Sequence, residues 1–196
     1  MKRLQLTQKS HQEILKITTR SIKKGEIIVC PTDTVYGLCC DALNKKAVKR
    51  IFTIKKRPKG KPLPIFVKDI KMARKFAKID KNQEKFLKNP KITLVLEIRN
   101  KKNFPKGIVS QDNKIGIRAP NYNFLNVLLK KLNLPLAETS ANISGKPAST
   151  KIKEVLKQFK NQKHQPDLII DAGNLKKAKP SKVIDLTGSK PRILRK

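Results

Sequence analysis

Apolar residues fall in two patterns along this chain, helical spacings of three and four and short β-branched runs, and the two are interleaved from end to end. Ile14, Leu15, Ile17 and Ile22 predict a helix from a Thr7 cap to about Lys24, with Gly25 as its stop. Residues 27–30 read as a buried strand. Asn44 caps a second predicted helix running to about Lys56, with Ala47, Val48, Ile51 and Phe52 at helical spacing and Pro58 ending it. A strand is predicted at 63–67 and a short helix at 69–77. Residues 92–98, Ile-Thr-Leu-Val-Leu-Glu-Ile, carry the strongest strand signal. Shorter strands are predicted at 115–118, 134–137, 168–170, 183–186 and 192–194, with helices at 122–132 and 150–159 between them. No repeat or Gly/Ser-rich hinge interrupts the pattern, so residues 1–196 read as one α/β domain, a twisted mixed β-sheet flanked by helices.

Composition narrows the class. Apolar residues make up 38% and aromatics 5%, low but still globular. No apolar run approaches the roughly 20 residues of a membrane span. The start, Met1-Lys2-Arg3-Leu4-Gln5-Leu6, lacks the long apolar segment of a secretory signal. Cys30, Cys39 and Cys40 have no metal-ligand spacing and read as small core hydrophobes of a reducing, cytoplasmic protein; no metal site is expected. The net charge of +33 comes from 47 basic residues, of which nine are Arg. A dedicated nucleic-acid reader leans more on Arg, whose planar fork grips phosphates and bases. The Lys excess is spread along the chain, and fits either a compositional bias on a solvated surface or selection for polyanions. In both cases its field attracts nucleotides and RNA in a salt-dependent manner.

Four clusters could carry chemistry. Pro31-Thr32-Asp33-Thr34-Val35-Tyr36-Gly37-Leu38 places two hydroxyls, a carboxylate and a phenol where a strand should end, which suits a ligand site or a turn equally. Lys55-Lys56-Arg57-Pro58-Lys59-Gly60-Lys61-Pro62-Leu63 packs five cations into seven residues. It is either a solvated basic loop or a loop that a polyphosphate neutralises. Glu138-Thr139-Ser140-Ala141-Asn142-Ile143-Ser144-Gly145 offers small hydroxyls, an amide and accessible backbone N–H groups, suited to phosphate or ribose oxygens or to an ordinary loop. Lys179-Pro180-Ser181-Lys182-Val183-Ile184-Asp185 puts a Ser at the entry to a late strand, and Arg118 and Arg195 stand at strand ends. There is no P-loop and no Gly-x-Gly-x-x-Gly, and with only His11 and His164 a His-based triad or zinc site has no support. Catalysis would then rest on positioning and cationic charge stabilisation.

Taken in order and spacing, these segments resemble the threonylcarbamoyl-AMP synthase family, also called YrdC-like. That family shows Pro-Thr-Asp/Glu-Thr-x-Tyr-Gly-Leu, Lys-x-Arg-Pro-x-x-Lys/Asn-Pro-Leu, Arg-x-Pro, Ser-Ala-Asn-x-Ser-Gly and a late Pro-Ser-Thr-Val-hydrophobic-Asp. The likeness extends from about Gln8 to Arg195 and is to the short, single-domain bacterial form. It implies a YrdC-like fold with an open basic cleft. It also implies a nucleotidyltransferase that makes threonylcarbamoyl-AMP and pyrophosphate from L-threonine, bicarbonate or CO2 and ATP. A downstream threonylcarbamoyl transferase complex would then modify an adenosine beside the tRNA anticodon. ATP is a substrate and Mg²⁺ is carried mainly by the nucleotide. By motif position Lys55 and Arg57 are the catalytic cations, with Lys61 as a further triphosphate binder. Ser140, Asn142 and Thr150 would line the nucleotide pocket with Arg195, while Thr34, Arg118 and Ser181 would hold threonine. Tyr36 would shape the wall.

Three departures from the family pattern stand out. Asn89-Pro90-Lys91 replaces Pro-Gly-Pro before Thr93, Lys182 replaces Thr in the late motif, and Phe66 stands where archaeal-type relatives carry a His. The rival reading is an RNA-binding or ribosome-assembly protein that uses the basic surface of the same fold, with tRNA or other RNA as partner.

Overall fold

The computed structural model describes residues 1–196. The chain runs β1 (Lys2–Gln5), α1 (His11–Lys23), β2 (Ile28–Cys30), β3 (Gly37–Asp41), α2 (Lys45–Lys55), β4 (Ile65–Phe66), α3 (Ile70–Phe76), α4 (Lys81–Leu87), β5 (Ile92–Glu97) and β6 (Lys114–Arg118). It continues through α5 (Asn123–Leu132), β7 (Leu136–Ser140), α6 (Ile152–Phe159), β8 (Leu168–Asp171), β9 (Lys182–Asp185) and β10 (Arg192–Arg195). The strands form one ten-stranded mixed sheet in the order β1-β8-β2-β3-β7-β4-β6-β5-β9-β10.

Alternation along the strands sorts the two faces. Leu38, Cys40, Ile65, Leu94, Ile117 and Ala137 point to one side, where α2, α3, α4 and α6 complete a core of 33 buried residues with Val48, Met72, Leu87 and Phe159 among them. Cys39, Phe66 and Leu136 point to the other side, where α1 and α5 cover them in a second core of 15 buried residues. Those two helices shield only part of that face. On the remainder the same alternation presents Thr93, Val95, Gly116, Glu138 and Ser140 to an open cleft. The cleft is therefore the stretch of sheet that no helix covers.

Local chemistry explains where elements begin and end. Asn44 accepts from the Ala47 amide at 3.0 Å and starts α2, and Lys56 in the left-handed region (φ 51°) ends it two residues ahead of Pro58. The start of α1 lies later than Thr7. The Thr7 hydroxyl accepts from the Ser10 amide at 3.2 Å, and the Ser10 hydroxyl accepts from the Thr7 amide at 3.0 Å. The two form a closed turn ahead of the helix, leaving Ser10 at the N-cap. Strand β7 reaches Ser140 rather than stopping at 137, because Glu138, Thr139 and Ser140 pair with Cys39, Leu38 and Gly37 of β3. The residues expected at 63–67 keep only two strand positions between Pro64 and Val67.

Candidate active site

The cleft has a volume of about 680 Å³, in the range that holds a nucleotide-sized ligand. Its walls come from the 31–37 turn, the 57–64 loop and β5, β6, β7, β9 and β10, so sequence-distant segments meet there. Seven of the expected residues line it: Thr34, Arg57, Lys61, Arg118, Ser140, Ser181 and Arg195.

One wall is organised by Arg118. Its Nε donates to the Pro90 carbonyl at 2.7 Å, and Nη2 donates to Asp33 Oδ1 at 2.7 Å and to Thr34 Oγ1 at 3.2 Å. The guanidinium lies over the Phe66 ring, 5.4 Å from its centroid. Arg118 is thus 2% exposed, held on three sides, with Nη1 free of protein hydrogen bonds. Two of the departures explain themselves here. Pro90 supplies a carbonyl without the usual glycine, and Phe66 forms the platform under the guanidinium. Thr34 is placed by Thr32, whose hydroxyl accepts from the Thr34 amide at 3.0 Å and donates to the Val35 carbonyl at 2.7 Å. The segment is therefore a turn and a site wall at once. Tyr36 is fully buried, its hydroxyl donating to the Gly173 carbonyl and accepting from the Ala172 amide, which ties this turn to the end of β8.

The opposite wall is cationic. Arg57 donates from Nε to the Lys61 carbonyl at 2.8 Å and from Nη2 to the Pro62 carbonyl at 3.0 Å, so the guanidinium stiffens its own loop. Arg195 donates from Nε and Nη2 to the Ser181 carbonyl at 2.9 and 2.7 Å, and the Ser181 hydroxyl shares a 2.8 Å hydrogen bond with Thr93. Burial lowers the pKa of both arginines; Glu138 opposes this, and a neighbouring guanidinium lowers each further, Arg195 for Arg57 and Arg118 for Arg195. Such crowding of like charge is relieved by a bound anion. The Lys61 side chain is exposed and has no protein partner.

Lys55, Asn142 and Thr150 lie off the cleft wall. Lys55 is 3% exposed and donates to the Ser140 carbonyl at 2.7 Å, the Asn142 carbonyl at 2.9 Å and Asn142 Oδ1 at 2.7 Å. Burial, with Arg57 alongside, pulls its pKa down to about 7, while three acceptors match the three N–H donors of the ammonium. Its protons are spent on the loop after β7, which separates this placement from the expected direct triphosphate contact. Asn142 also accepts from the Ser140 hydroxyl at 2.6 Å and donates to the Ile143 carbonyl at 3.0 Å. Thr150 sits at the entry to α6, where its carbonyl accepts from the Leu175 amide.

Sequence reasoning gave no role to Thr93 or Glu138, although both line the cleft. Thr93 is the polar position inside the strongest strand, and Glu138 is a charge within a strand otherwise built of small and apolar residues; those were the available signals. Asp112 and Asp185 also line the cleft, both paired with Lys114 at 3.0 and 3.2 Å. No group of three or more His, Cys, Asp or Glu could hold a metal ion, and no helix is long and apolar enough to cross a membrane. All three cysteines are free and buried.

The model of the Sua5/YciO/YrdC family, described as telomere recombination, matches residues 20–196, and the chain belongs to that family. It is 35% identical over 159 residues to the threonylcarbamoyl-AMP synthase of Pseudoalteromonas translucida, covering 78% of this chain and 84% of the relative. The crystal structure of Pyrococcus abyssi Sua5 complexed with L-threonine superposes with a TM-score of 0.87 at 33% identity, covering 99% of this chain and 56% of the longer relative. Escherichia coli YciO superposes with a TM-score of 0.84 at 28% identity, covering all of this chain and 93% of that one.

Proposed function

We propose that the protein is an L-threonylcarbamoyladenylate synthase, a nucleotidyltransferase that joins L-threonine, bicarbonate-derived CO2 and ATP. The observation that carries this reading is the convergence on one cleft of the Arg118–Thr34 wall and the cationic Arg57–Lys61–Arg195 wall, with Ser181 held by Arg195. The free Nη1 of Arg118 suits the amino-acid carboxylate, with Thr34 beside it for the hydroxyl. Arg57, Lys61 and Arg195 suit the triphosphate. A threonine carbamate held between the walls attacks the α-phosphorus: a new P–O bond forms, the bond to the β-phosphate oxygen breaks, and pyrophosphate leaves. The nucleophile is already anionic, so the task is to cancel charge between it and the triphosphate. Without a carboxylate cluster, a divalent ion would be carried by the nucleotide's own phosphates.

Lys55 holds the backbone of Ser140 and Asn142, and so shapes the nucleotide wall from behind. The product would pass to a transferase complex acting on tRNA in the cytoplasm. The rival RNA-binding reading accounts for the net charge but gives no task to the buried Arg118 assembly. Mass spectrometry of a reaction containing ATP, threonine and bicarbonate tests the proposal. A threonylcarbamoyl-adenylate is expected, and its absence with folded protein would overturn the assignment. Serine, lacking the methyl, should react roughly 10–200-fold less efficiently than threonine, an apolar contact of about 1–3 kcal/mol; equal kcat/KM values would argue against a threonine pocket.

A further inference from the structure

One charged side chain in the cleft has no task in this chemistry. Glu138 lies in the middle of β7, opposite Cys39 of β3, and its amide donates to the Pro64 carbonyl at 2.9 Å. Its side chain lines the cleft, with the residue 7% exposed, yet it makes no hydrogen bond or ion pair with the protein. The cleft's other carboxylates, Asp112 and Asp185, are both ion-paired, Asp112 with Lys114 and Asp185 with Lys114 and Arg192. A free anion works against a site that gathers a triphosphate and an amino-acid carboxylate. Buried by more than nine-tenths and without a direct hydrogen bond or ion pair, the Glu138 carboxylate is compensated only by the more distant charges of Arg118, Arg195, Lys55 and Arg57, and it gains from a cation or a proton in direct contact. An amino acid brings both, in its ammonium group.

We infer that Glu138 receives the ammonium of the bound amino acid and takes its proton as the nitrogen is carboxylated, an inference that rests on the synthase reading. The register places the two ends of the amino acid. Strand β4 lies between β7 and β6, with Phe66 in register with Leu136 and Arg118. One pleat away, Pro64 and Gly116 floor the space beside Glu138; a Cβ on Gly116 would lie 2.9 Å from the Pro64 Cβ. Two strand spacings of about 4.8 Å and two residues of about 3.3 Å rise put the backbones of Glu138 and Arg118 roughly 12 Å apart. Both residues line the cleft from that spacing, and an amino-acid N and carboxyl C about 2.5 Å apart, with a hydrogen bond of about 2.9 Å at each end, bridge head groups about 8 Å apart.

The step balances with bicarbonate. The ammonium, bicarbonate and the Glu138 carboxylate become the N-carboxylate, water and the Glu138 acid. The N–C bond forms and one C–O bond of bicarbonate breaks. Of the two protons the nitrogen gives up, one leaves with the hydroxyl as water and the other stays on Glu138. The protonated acid no longer repels the new carbamate and can donate a hydrogen bond to it. The groups facing Glu138 fit this coupling. Burial pushes its carboxyl above the usual range, while Arg118, Arg195, Lys55 and Arg57 pull it back, and the buried Cys39 thiol is its neighbour across β3. Anions bound to those arginines cancel the pull, so substrate occupancy itself favours proton uptake.

Glu138→Gln keeps the shape and removes the base. Pyrophosphate release is followed from about pH 6.5 to about pH 9.5, with separate equilibrium titrations of ATP and threonine. ATP affinity should hold or rise in the variant, which also reports its folding, and threonine affinity should fall. Its kcat/KM for threonine near neutral pH should drop about 10²-fold or more. The deficit should narrow as alkaline solution supplies free amine, and Glu138→Asp should restore part of the neutral-pH rate. An unchanged rate and profile, or a uniform loss at every pH with unchanged threonine affinity, would overturn the role. A wild-type protein without threonine-dependent release at any pH would instead remove the synthase reading and this inference with it.

Discussion

Replacing Arg118 with Lys keeps the charge but not the fork. Arg118 satisfies the Pro90 carbonyl, Asp33 and Thr34 and still has Nη1 for a substrate. A lysine ammonium can keep the Asp33 ion pair or reach the substrate carboxylate, not both with the same geometry. The loss divides in two. Leaving the Pro90 carbonyl unpaired costs about 1–3 kcal/mol, and leaving the Phe66 ring uncovered about 0.5–1 kcal/mol more. For a chain of this size, the melting temperature should fall by roughly 4–12 °C. Loss of a charge-assisted contact to the carboxylate is worth about 1.5–3 kcal/mol, so the threonine KM should rise about 10–150-fold. The ATP KM should move less than about threefold, because Arg57 and Lys61 keep the phosphates. Thermal melting and steady-state titration of each substrate give both halves. A threonine KM close to wild type in a destabilised protein would make Arg118 structural only, and equal rises in both KM values would refute the division of the cleft into two walls.

Lys55→Met should lower the melting temperature and raise the ATP KM at every ionic strength, because it releases the Ser140 and Asn142 carbonyls. A direct phosphate contact would instead give an unchanged melt and a salt-dependent KM. Arg57→Ala should reduce pyrophosphate release by more than about 10²-fold while RNA binding, read by filter retention across salt, barely changes; parallel losses would argue against a triphosphate role. Asp185 is buried, which raises its carboxyl, but hydrogen bonds from Thr187 and Lys114 bring it down to about 2. Its stabilising contribution is therefore present above the unfolded value near 3.8 and lost as pH falls towards 2. Asp185→Asn should melt lower than wild type near neutral pH and converge with it in strong acid; a constant offset across that range would refute the assignment.

Periodicity located most of the elements because burial enforces it. The stripe on α2 enters the larger core, as do Leu94, Leu96 and Ile98 of the run at 92–98, while Val95 between them faces the cleft. Strand β1 escaped because Lys-Arg-Leu-Gln is an edge strand with a solvated face, and β3 because its Gly-Leu-Cys-Cys-Asp lacks β-branched residues. Helix α4 carries its capping box, Asp80 with Gln83, on a segment too short for a clear stripe. In the site, the motifs that carry the family resemblance marked Thr34, Arg57 and Arg118. They could not show that the Lys55 side chain turns inward, because one turn of helix decides whether a lysine meets solvent or the back of a loop. Glu138 was hidden for a related reason: strand alternation tells which side it faces only once β7 is known to extend past Ala137.

Pyrophosphate release from ATP, with threonine and bicarbonate each added or withheld and no RNA present, tests the central claim most directly. Release that requires both co-substrates is the predicted result. Release independent of threonine, or none from folded protein under any combination, would contradict the assignment of this cleft to threonylcarbamoyl-AMP synthesis.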